Sequence, residues 1–356
     1  MFQIPIPEFT RAAIVLLIVT LPLDAYSVDD ISGYPRQTES PLIQQRILHP
    51  VNTLFGLPAV ASRPVAASEW QISLEHGNVF MGGDDSDESL ILDGESSELA
   101  LRYRRRLGSC WQAEVAGSIV AHSRGHFDRA IDNWHQLFGL PDANREEFDY
   151  FGLEYGFSSG ADSTDTRPVL RKPVEGLGDT QLAVQRTLLC NAAQHTTSSI
   201  TPQAGTQAAL LRFGIKVPTG LAAVWLGSGA TDIWFDLQSP VMAVGPFFRY
   251  AATAGILLPG KIDDMGDQKP LTGFGSLGLQ YRWRPRLSFI LQADWHTAFF
   301  ESSLTELGEF ATRASLAARY VTHAQQLIEL SISEDAVIDT APDIVARIAL
   351  TWRVGN

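Results

Sequence analysis

The chain has 356 residues, a formal net charge of -13 at pH 7 and a mean hydropathy of 0.00. The excess of 40 acidic over 27 basic residues argues against a nucleic-acid partner, because phosphate neutralisation needs clustered Lys and Arg. No segment has the continuous apolar run of about 20 residues that a membrane-spanning helix needs, which excludes an ordinary inner-membrane protein.

Residues 1–27 have the pattern of a cleavable secretory signal. A single positive charge, Arg11, precedes the apolar run 12–23, which is too short to span a bilayer. The small residues Ala25 and Ser27 fit a cleavage site after either one. The alternative is an uncleaved anchor or a buried helix of a soluble protein.

Residues 28–68 contain five prolines and little alternation. Proline removes a donor from a strand ladder, so this segment is not expected to be a central strand. We predict an irregular arm that either lies in the mouth of a barrel as a plug or hangs in the periplasm.

From residue 69 onward, apolar residues alternate with small or polar ones. The clearest case is residues 277–295, where Leu277, Leu279 and their alternates form one apolar face and Gln280 and Gln292 belong to the polar one. A barrel strand that faces lipid on its outer side and water on its inner side has this two-residue repeat. The sequence therefore predicts a membrane β-hairpin with aromatic residues near both interfaces.

Thirteen segments have this alternation, the last at residues 344–354, whereas bacterial single-chain barrels have even strand numbers. When each connection is assigned to one side of the membrane, counting from both termini, one additional crossing is needed between about residues 121 and 178. This gives fourteen strands. Twelve strands result if two weak segments stay outside the membrane. The predicted fold class is all-β: an antiparallel transmembrane β-barrel of about 12 to 14 strands over residues 69–356.

One segment breaks the strand pattern. Residues 122–147 place Phe127, Ile131, Trp134 and Phe138 at roughly helical spacing, and a glycine and a proline follow. We predict an amphipathic helical insertion near residues 126–139. It packs across the barrel mouth, folds into the lumen or lies on the membrane surface; its acidic polar face disfavours the surface.

The two cysteines, Cys110 and Cys190, are compatible with one disulfide in an oxidising compartment. In a fourteen-stranded barrel both adjoin periplasmic turns. Spacing alone does not establish that their Cα atoms come within bonding range.

Several short stretches together resemble an uncharacterised proteobacterial outer-membrane family, the domain of unknown function 3187. They include Asn52 to Pro58, Leu92 to Glu95, His122 to His135, Phe138 to Pro141, Gly176 to Asp179, Val217 to Gly220 and Gly227 to Ala230. The resemblance covers the chain after the signal. It implies an outer-membrane β-barrel with no assigned substrate and transfers no catalytic residue.

An enzyme is the alternative function. Ser123 or Ser228, with a histidine and an orienting carboxylate, would hydrolyse lipid esters at the barrel surface. No nucleophile-elbow motif accompanies them, and the histidines have no closed set of metal ligands. We therefore assign no catalytic residue, no metal and no cofactor; a structural or adhesive barrel is a third possibility.

The leading hypothesis is a Gram-negative outer-membrane channel or passive transporter for an unidentified small molecule, gated by the arm and the helix. Its expected partners are outer-membrane lipid, the barrel-assembly machinery during insertion and the transported solute. The candidate lumen or gating residues are Arg102, Arg104, Glu114, His126, Asp128, His135, Glu154, Arg212, Lys216, Asp232 and Asp236.

Overall fold

The computed structural model describes residues 40–60, 64–65, 67–127, 129, 151–159, 165–188, 190, 208–335 and 344–354. Within these residues the fold is almost entirely β. The strands are β1 Ser68–Asp84, β2 Glu88–Arg106, β3 Trp111–Ser123, β4 Glu154–Ser159, β5 Asp165–Leu170, β6 Val174–Leu177, β7 Thr180–Thr187, β8 Leu210–Val217, β9 Asp232–Gln238, β10 Met242–Val244, β11 Phe248–Leu258, β12 Thr272–Arg284, β13 Leu287–His296, β14 Ala311–Val321, β15 Leu327–Asp335 and β16 Ile344–Val354. The short helices are α1 Pro50–Leu54 and α2 Thr305–Gly308, with a 3-10 turn at Ala222–Val224.

Twelve of these strands close into an antiparallel barrel, in the order β1, β2, β3, β7, β8, β9, β11, β12, β13, β14, β15, β16 and back to β1. The closing seam is formed by the first and last strands, where Trp70 lies opposite both Tyr103 of β2 and Trp352 of β16. Closure pairs both edges of each of the twelve wall strands, as a membrane environment requires. The predicted fold class is confirmed, with twelve strands in the wall.

The additional crossing between residues 121 and 178 was a wrong prediction. Strand β3 pairs directly with β2 on one side and with β7 on the other, which leaves no place in the wall between them. Strands β4, β5 and β6 instead extend β2 and β3 beyond the barrel, and β10 pairs with the start of β11. The aromatic residues of β4, Tyr155 and Phe157, are buried in a core there and do not face lipid.

The wall separates two environments by the alternation that the sequence predicts. On β14, Leu316 and Tyr320 are 53% and 42% exposed on the outside, whereas Arg313 and Arg319 are buried inside. The β12–β13 hairpin behaves in the same way: its leucines point outward, and Gln280 and Gln292 point inward. The outer face is therefore apolar and the inner face polar, as in a barrel that crosses a membrane.

The two ends of the barrel differ. One end, which we call the turn end, carries the short connections 107–110, 285–286 and 322–326 and both termini of the wall, Ser68 and Val354. The opposite loop end carries the longer connections 218–231, 259–271 and 297–310. Among the described residues, no helix is long and apolar enough to cross a membrane.

Candidate functional site: a lumen filled by the N-terminal arm

The arm, whose described residues are 40–60, 64–65 and 67, occupies the lumen. Its first part is held by inward-facing side chains of β13, β14 and β16, which donate mainly to backbone carbonyls of the arm. From the turn end upward, the pairs are Arg319 Nη2 with Leu42 O at 3.0 Å, Gln292 Nε2 with Ile43 O at 3.3 Å, Arg347 Nη2 with Gln44 O at 2.8 Å and Arg313 Nη1 with Arg46 O at 2.8 Å. Gln292 also accepts from Ile43 N at 2.7 Å.

At the loop end the arm turns through α1 and descends along the opposite wall. His49 begins this helix, and its ring Nδ1 accepts from Val51 N at 3.3 Å. The descending contacts are Gly56 N with Asp232 Oδ2 at 2.6 Å, Leu57 O with Gln181 Nε2 at 3.3 Å, Ala59 O with Arg212 Nη2 at 2.8 Å and Val65 N with Gln112 Oε1 at 3.0 Å. The arm thus makes two passes and returns to the turn end, where β1 begins.

The wall cations that hold the arm are also paired with wall carboxylates. Arg347 joins Glu75 at 2.9 Å and Glu329 at 2.6 Å, and Arg319 shares Glu329. Arg313 pairs with Asp294 at 3.1 Å. Taking these charges out of water is compensated only because each has a partner and further hydrogen bonds. The guanidinium groups therefore sit at fixed positions that present spare N–H donors to the arm.

A hub at the loop end of the lumen centres on Lys216. Its Nζ lies 3.1 Å from Asp179 Oδ2 and 3.0 Å from Asp232 Oδ2, and it donates to Ser228 Oγ at 2.5 Å and to Leu54 O. The lysine side chain is completely buried. The hub ties the arm to the wall and to the 218–231 loop.

An apolar core closes the loop end above the hub. The arm contributes Leu54 and Phe55, and Phe55 stacks on Phe299 with ring centroids 4.1 Å apart. Tyr155 of the β4 extension and Trp225 of the 218–231 loop belong to the same core. The apolar loop around Trp225 thus packs inward across the mouth.

The predicted lumen residues fall into three groups. Seven of them face the lumen in ion pairs: Arg102 with Glu114, Arg212 with Asp236, Lys216 with Asp232, and Arg104 with Glu69, a residue that was not predicted. Glu154 was misplaced: it pairs with Arg171 at 2.5 Å on the half-exposed β4–β5 extension, beyond the barrel wall. His126 donates its backbone N–H to Glu95 after β3 ends, and Asp128 and His135, with nearly all of the predicted helix, lie outside the described residues.

Sequence reasoning did not select six further inward charges: Glu75 of β1, and Asp294, Arg313, Arg319, Glu329 and Arg347 of β13 to β16. Each occupies an inward position of a strand whose outward residues were recognised. Reading both faces of those alternations, and not only the apolar face, would have found them.

One Ser-His-carboxylate chain of contacts occurs among the described residues: His76 Nδ1 lies 2.8 Å from Ser97 Oγ, and its Nε2 lies 3.4 Å from Glu95 Oε2. It includes neither of the predicted serines, Ser123 and Ser228. His122 Nδ1 lies 2.8 Å from Ser96 Oγ, and its Nε2 lies 3.1 Å from Trp225 O. Ser228 accepts from Lys216, whose ammonium group is held by two carboxylates and acts as a donor. No group of three or more potential metal-ligating side chains occurs in the described part of the chain.

Cys110 and Cys190 form a disulfide, with Cα atoms 5.7 Å apart. Both lie at the turn end, one in the β2–β3 connection and the other after β7. The bond therefore links two connections of neighbouring wall strands, which are 80 residues apart in sequence.

A closed twelve-stranded antiparallel wall with an apolar outside and a polar, occupied lumen defines the class of transmembrane β-barrels. The chain belongs to the family described as protein of unknown function (DUF3187), whose profile matches residues 14–354. The predicted family resemblance is thereby confirmed. A search of the curated proteins finds no match.

Solved structures with a similar fold include outer-membrane channels. The COG4313 outer membrane channel from Pseudomonas putida F1 is 14% identical, with a TM-score of 0.51 over 82% of this chain and 96% of that one. The NanC porin is 9% identical, with a TM-score of 0.40 over 81% and 100%. The toluene transporter TodX from P. putida is 9% identical, with a TM-score of 0.37 over 82% and 91%. At these identities the first likeness establishes a shared fold only, and the other two carry no argument.

Proposed function

We propose that this protein is an outer-membrane channel or passive transporter of a Gram-negative bacterium, with its N-terminal arm as the plug. The observation that carries the proposal is the double pass of the arm: the wall encloses enough space for two stretches of backbone. Small barrels of about eight strands are filled by their own side chains, whereas wider ones enclose a cavity or channel. Removing the arm would leave a polar lumen and would take Leu54 and Phe55 out of the apolar core that closes the loop end.

The contacts of the arm support a removable plug. Many are hydrogen bonds from wall side chains to backbone carbonyls. The donors Arg313 and Arg347 also pair with wall carboxylates, which stay in place when the arm leaves. Water can replace the arm at each donor. One wall charge loses an ion-pair partner when the arm leaves: Glu98, whose Oε1 lies 3.3 Å from Arg46 Nη1. The lumen charges are largely paired and favour neither sign of ion. The transported solute therefore stays unidentified.

The test uses a glycine of the wall against which the arm lies. A Cβ on Gly278 would lie 2.7 Å from Leu42 Cδ2 and would also meet the backbone of Pro41. Gly278→Val is expected to displace the arm while leaving the outer face of β12 unchanged. Gly273→Ala is the matched control, because a Cβ there has ordinary contacts, the nearest at 3.6 Å.

Single-channel conductance in planar bilayers is the measurement. The native chain and Gly273→Ala are expected to be closed for most of the recording, and Gly278→Val to conduct for much longer periods. Tryptic cleavage after Arg46 reports independently whether the arm has left the lumen. A folded Gly278→Val variant that is cleaved at Arg46 yet carries no current would refute the proposal.

A further inference from the structure

The charged side chains are unequally distributed between the two ends. Arginines with at least partly exposed side chains ring the turn end, and no exposed acidic residue accompanies them in the part of that end that the structure describes. These arginines are Arg105, Arg106, Arg186, Arg249, Arg282, Arg284, Arg286 and Arg353. The loop end carries exposed acids instead, including Asp84, Asp85, Asp87, Asp263 and Glu309.

Aromatic residues lie on the outer wall at the same height as these arginines. Trp70 packs on Tyr103 with ring centroids 4.5 Å apart, and Trp283 packs on Phe289 at 5.9 Å. Amphipathic rings prefer the level of the lipid headgroups. The arginines at the turn end therefore lie at or just beyond the headgroups of one leaflet.

Part of this outer surface is concave. A groove of about 450 Å³ runs over β2, β3, β7 and β8, and its lining is almost wholly apolar. Strand register explains the concavity: Arg105, Ala113, Val184 and Phe213 form one row across the four strands. Ala113 is the small residue in the middle of that row, and the larger side chains next to it form the sides of the groove.

The next row toward the middle of the wall consists of Tyr103, Val115, Leu182 and Ile215. The groove therefore remains apolar as it continues toward the middle of the wall. Toward the turn end it finishes beside two cations. Arg105 lines the groove, and Arg186 follows Val184 on the outer face of β7, where its guanidinium lies 5.4 Å from the centre of the Trp111 ring.

We propose that this groove binds one anionic phospholipid of the leaflet at the turn end, with an acyl chain along Ala113 and the headgroup phosphate between Arg105 and Arg186. The apolar length with two cations at one end matches an amphiphile with an anionic head. An acidic protein partner would match the arginines but leave the apolar groove unused. Lipid binding in this groove does not require channel activity.

The test is native mass spectrometry of the detergent-solubilised protein titrated with phosphatidylglycerol or with phosphatidylcholine of the same acyl chains. The native chain is expected to retain one phosphatidylglycerol more tightly than phosphatidylcholine. Arg105→Gln and Arg186→Gln should each weaken phosphatidylglycerol binding by about fivefold, since a basic residue near anionic lipid contributes about 1 kcal/mol. Phosphatidylcholine binding should change little.

Two further variants separate this site from general adsorption. Ala113→Phe fills the groove and should weaken the binding of both lipids. Arg284→Gln is the matched control, because Arg284 is exposed at the turn end, lies over Trp283 and is outside the groove. Equal binding of the two lipids, or an equal loss in Arg284→Gln and Arg105→Gln, would overturn the proposal, and so would unaltered binding in a folded Ala113→Phe variant.

Discussion

At the scale of single residues, Lys216 shows how the lumen tolerates buried charge. Its ammonium group faces two buried carboxylates, a hydroxyl group and a carbonyl group of the arm. Asp179 is further bound by Gly220 N and Ser228 N, and Asp232 by Gly56 N and Gly260 N. The fully hydrogen-bonded cluster fixes the arm and the loop end in one arrangement.

Replacing Lys216 should therefore be strongly destabilising. Lys216→Met leaves two buried carboxylates without their cation, and breaking a buried pair in this way costs about 3–5 kcal/mol. The midpoint of urea unfolding, followed by loss of the heat-modifiable folded band, is the measurement. Lys261→Met is the control, because Lys261 and its partner Asp263 are 85% and 90% exposed, and its midpoint should not move. Equal midpoints for both variants would contradict this view of the hub.

Alternation identified Arg102, Arg104, Glu114, Arg212, Lys216, Asp232 and Asp236 as lumen residues from sequence, because period two assigns each strand residue to one face. Glu154 failed this rule, since β4 has the same alternation but extends β2 beyond the membrane wall. An alternation of period two assigns residues to the two faces of a strand, but it does not show whether lipid, water or protein covers each face.

At the scale of elements, the arm is the part that sequence could not place. Its prolines predict the absence of a central strand, and the described part of the arm, residues 40–60, 64–65 and 67, contains no strand. Its route through the lumen is specified largely by backbone carbonyls, which every residue has, so no side-chain pattern marks those contacts. The choice between a plug and a periplasmic tail required the structure.

The turn of the arm should respond to acid. Burial, with a smaller contribution from nearby His296, lowers the pKa of His49 from 6.5 to about 3. His49 also faces Glu306 and Glu309 across a small cavity. A neutral His49 is thus required in the folded state, and its stabilisation is complete above pH 6.5 and is lost as the pH falls toward 3.

We expect the urea midpoint of the native chain to fall between pH 6.5 and pH 4 more steeply than that of His49→Asn. Asparagine keeps a side-chain acceptor for Val51 N but does not titrate. His323→Asn, at an exposed turn, should retain the native slope. Identical slopes for the native chain and His49→Asn would contradict the assignment.

At the scale of the whole molecule, the even strand number follows from where the wall begins and ends. Ser68 and Val354 meet at the turn end, so an antiparallel wall must cross an even number of times. The alternating segments were counted correctly except for β4. The additional crossing was invoked to restore an even number, whereas removing β4 restores it instead.

The disulfide should stabilise this wall without determining its topology. Replacing both Cys110 and Cys190 with serine releases a link across 80 residues of sequence, and bonds of this kind contribute about 2–4 kcal/mol. The urea midpoint should therefore fall, while β content by circular dichroism stays the same because strand pairing closes the barrel. An unchanged midpoint in the double variant, relative to the oxidised native chain, would show that the bond adds no stability.

Because the arm goes up one side of the lumen and down the other, it forms a loop whose two ends leave through the same mouth. In the proposed channel, tension on the chain preceding Ser40 would draw this loop out through the turn end. At the opposite mouth the arm presents only its bend, buried under the apolar core. Opening would therefore be controlled from the turn end, and a solute arriving at the loop end would meet no free segment of the arm that it could displace.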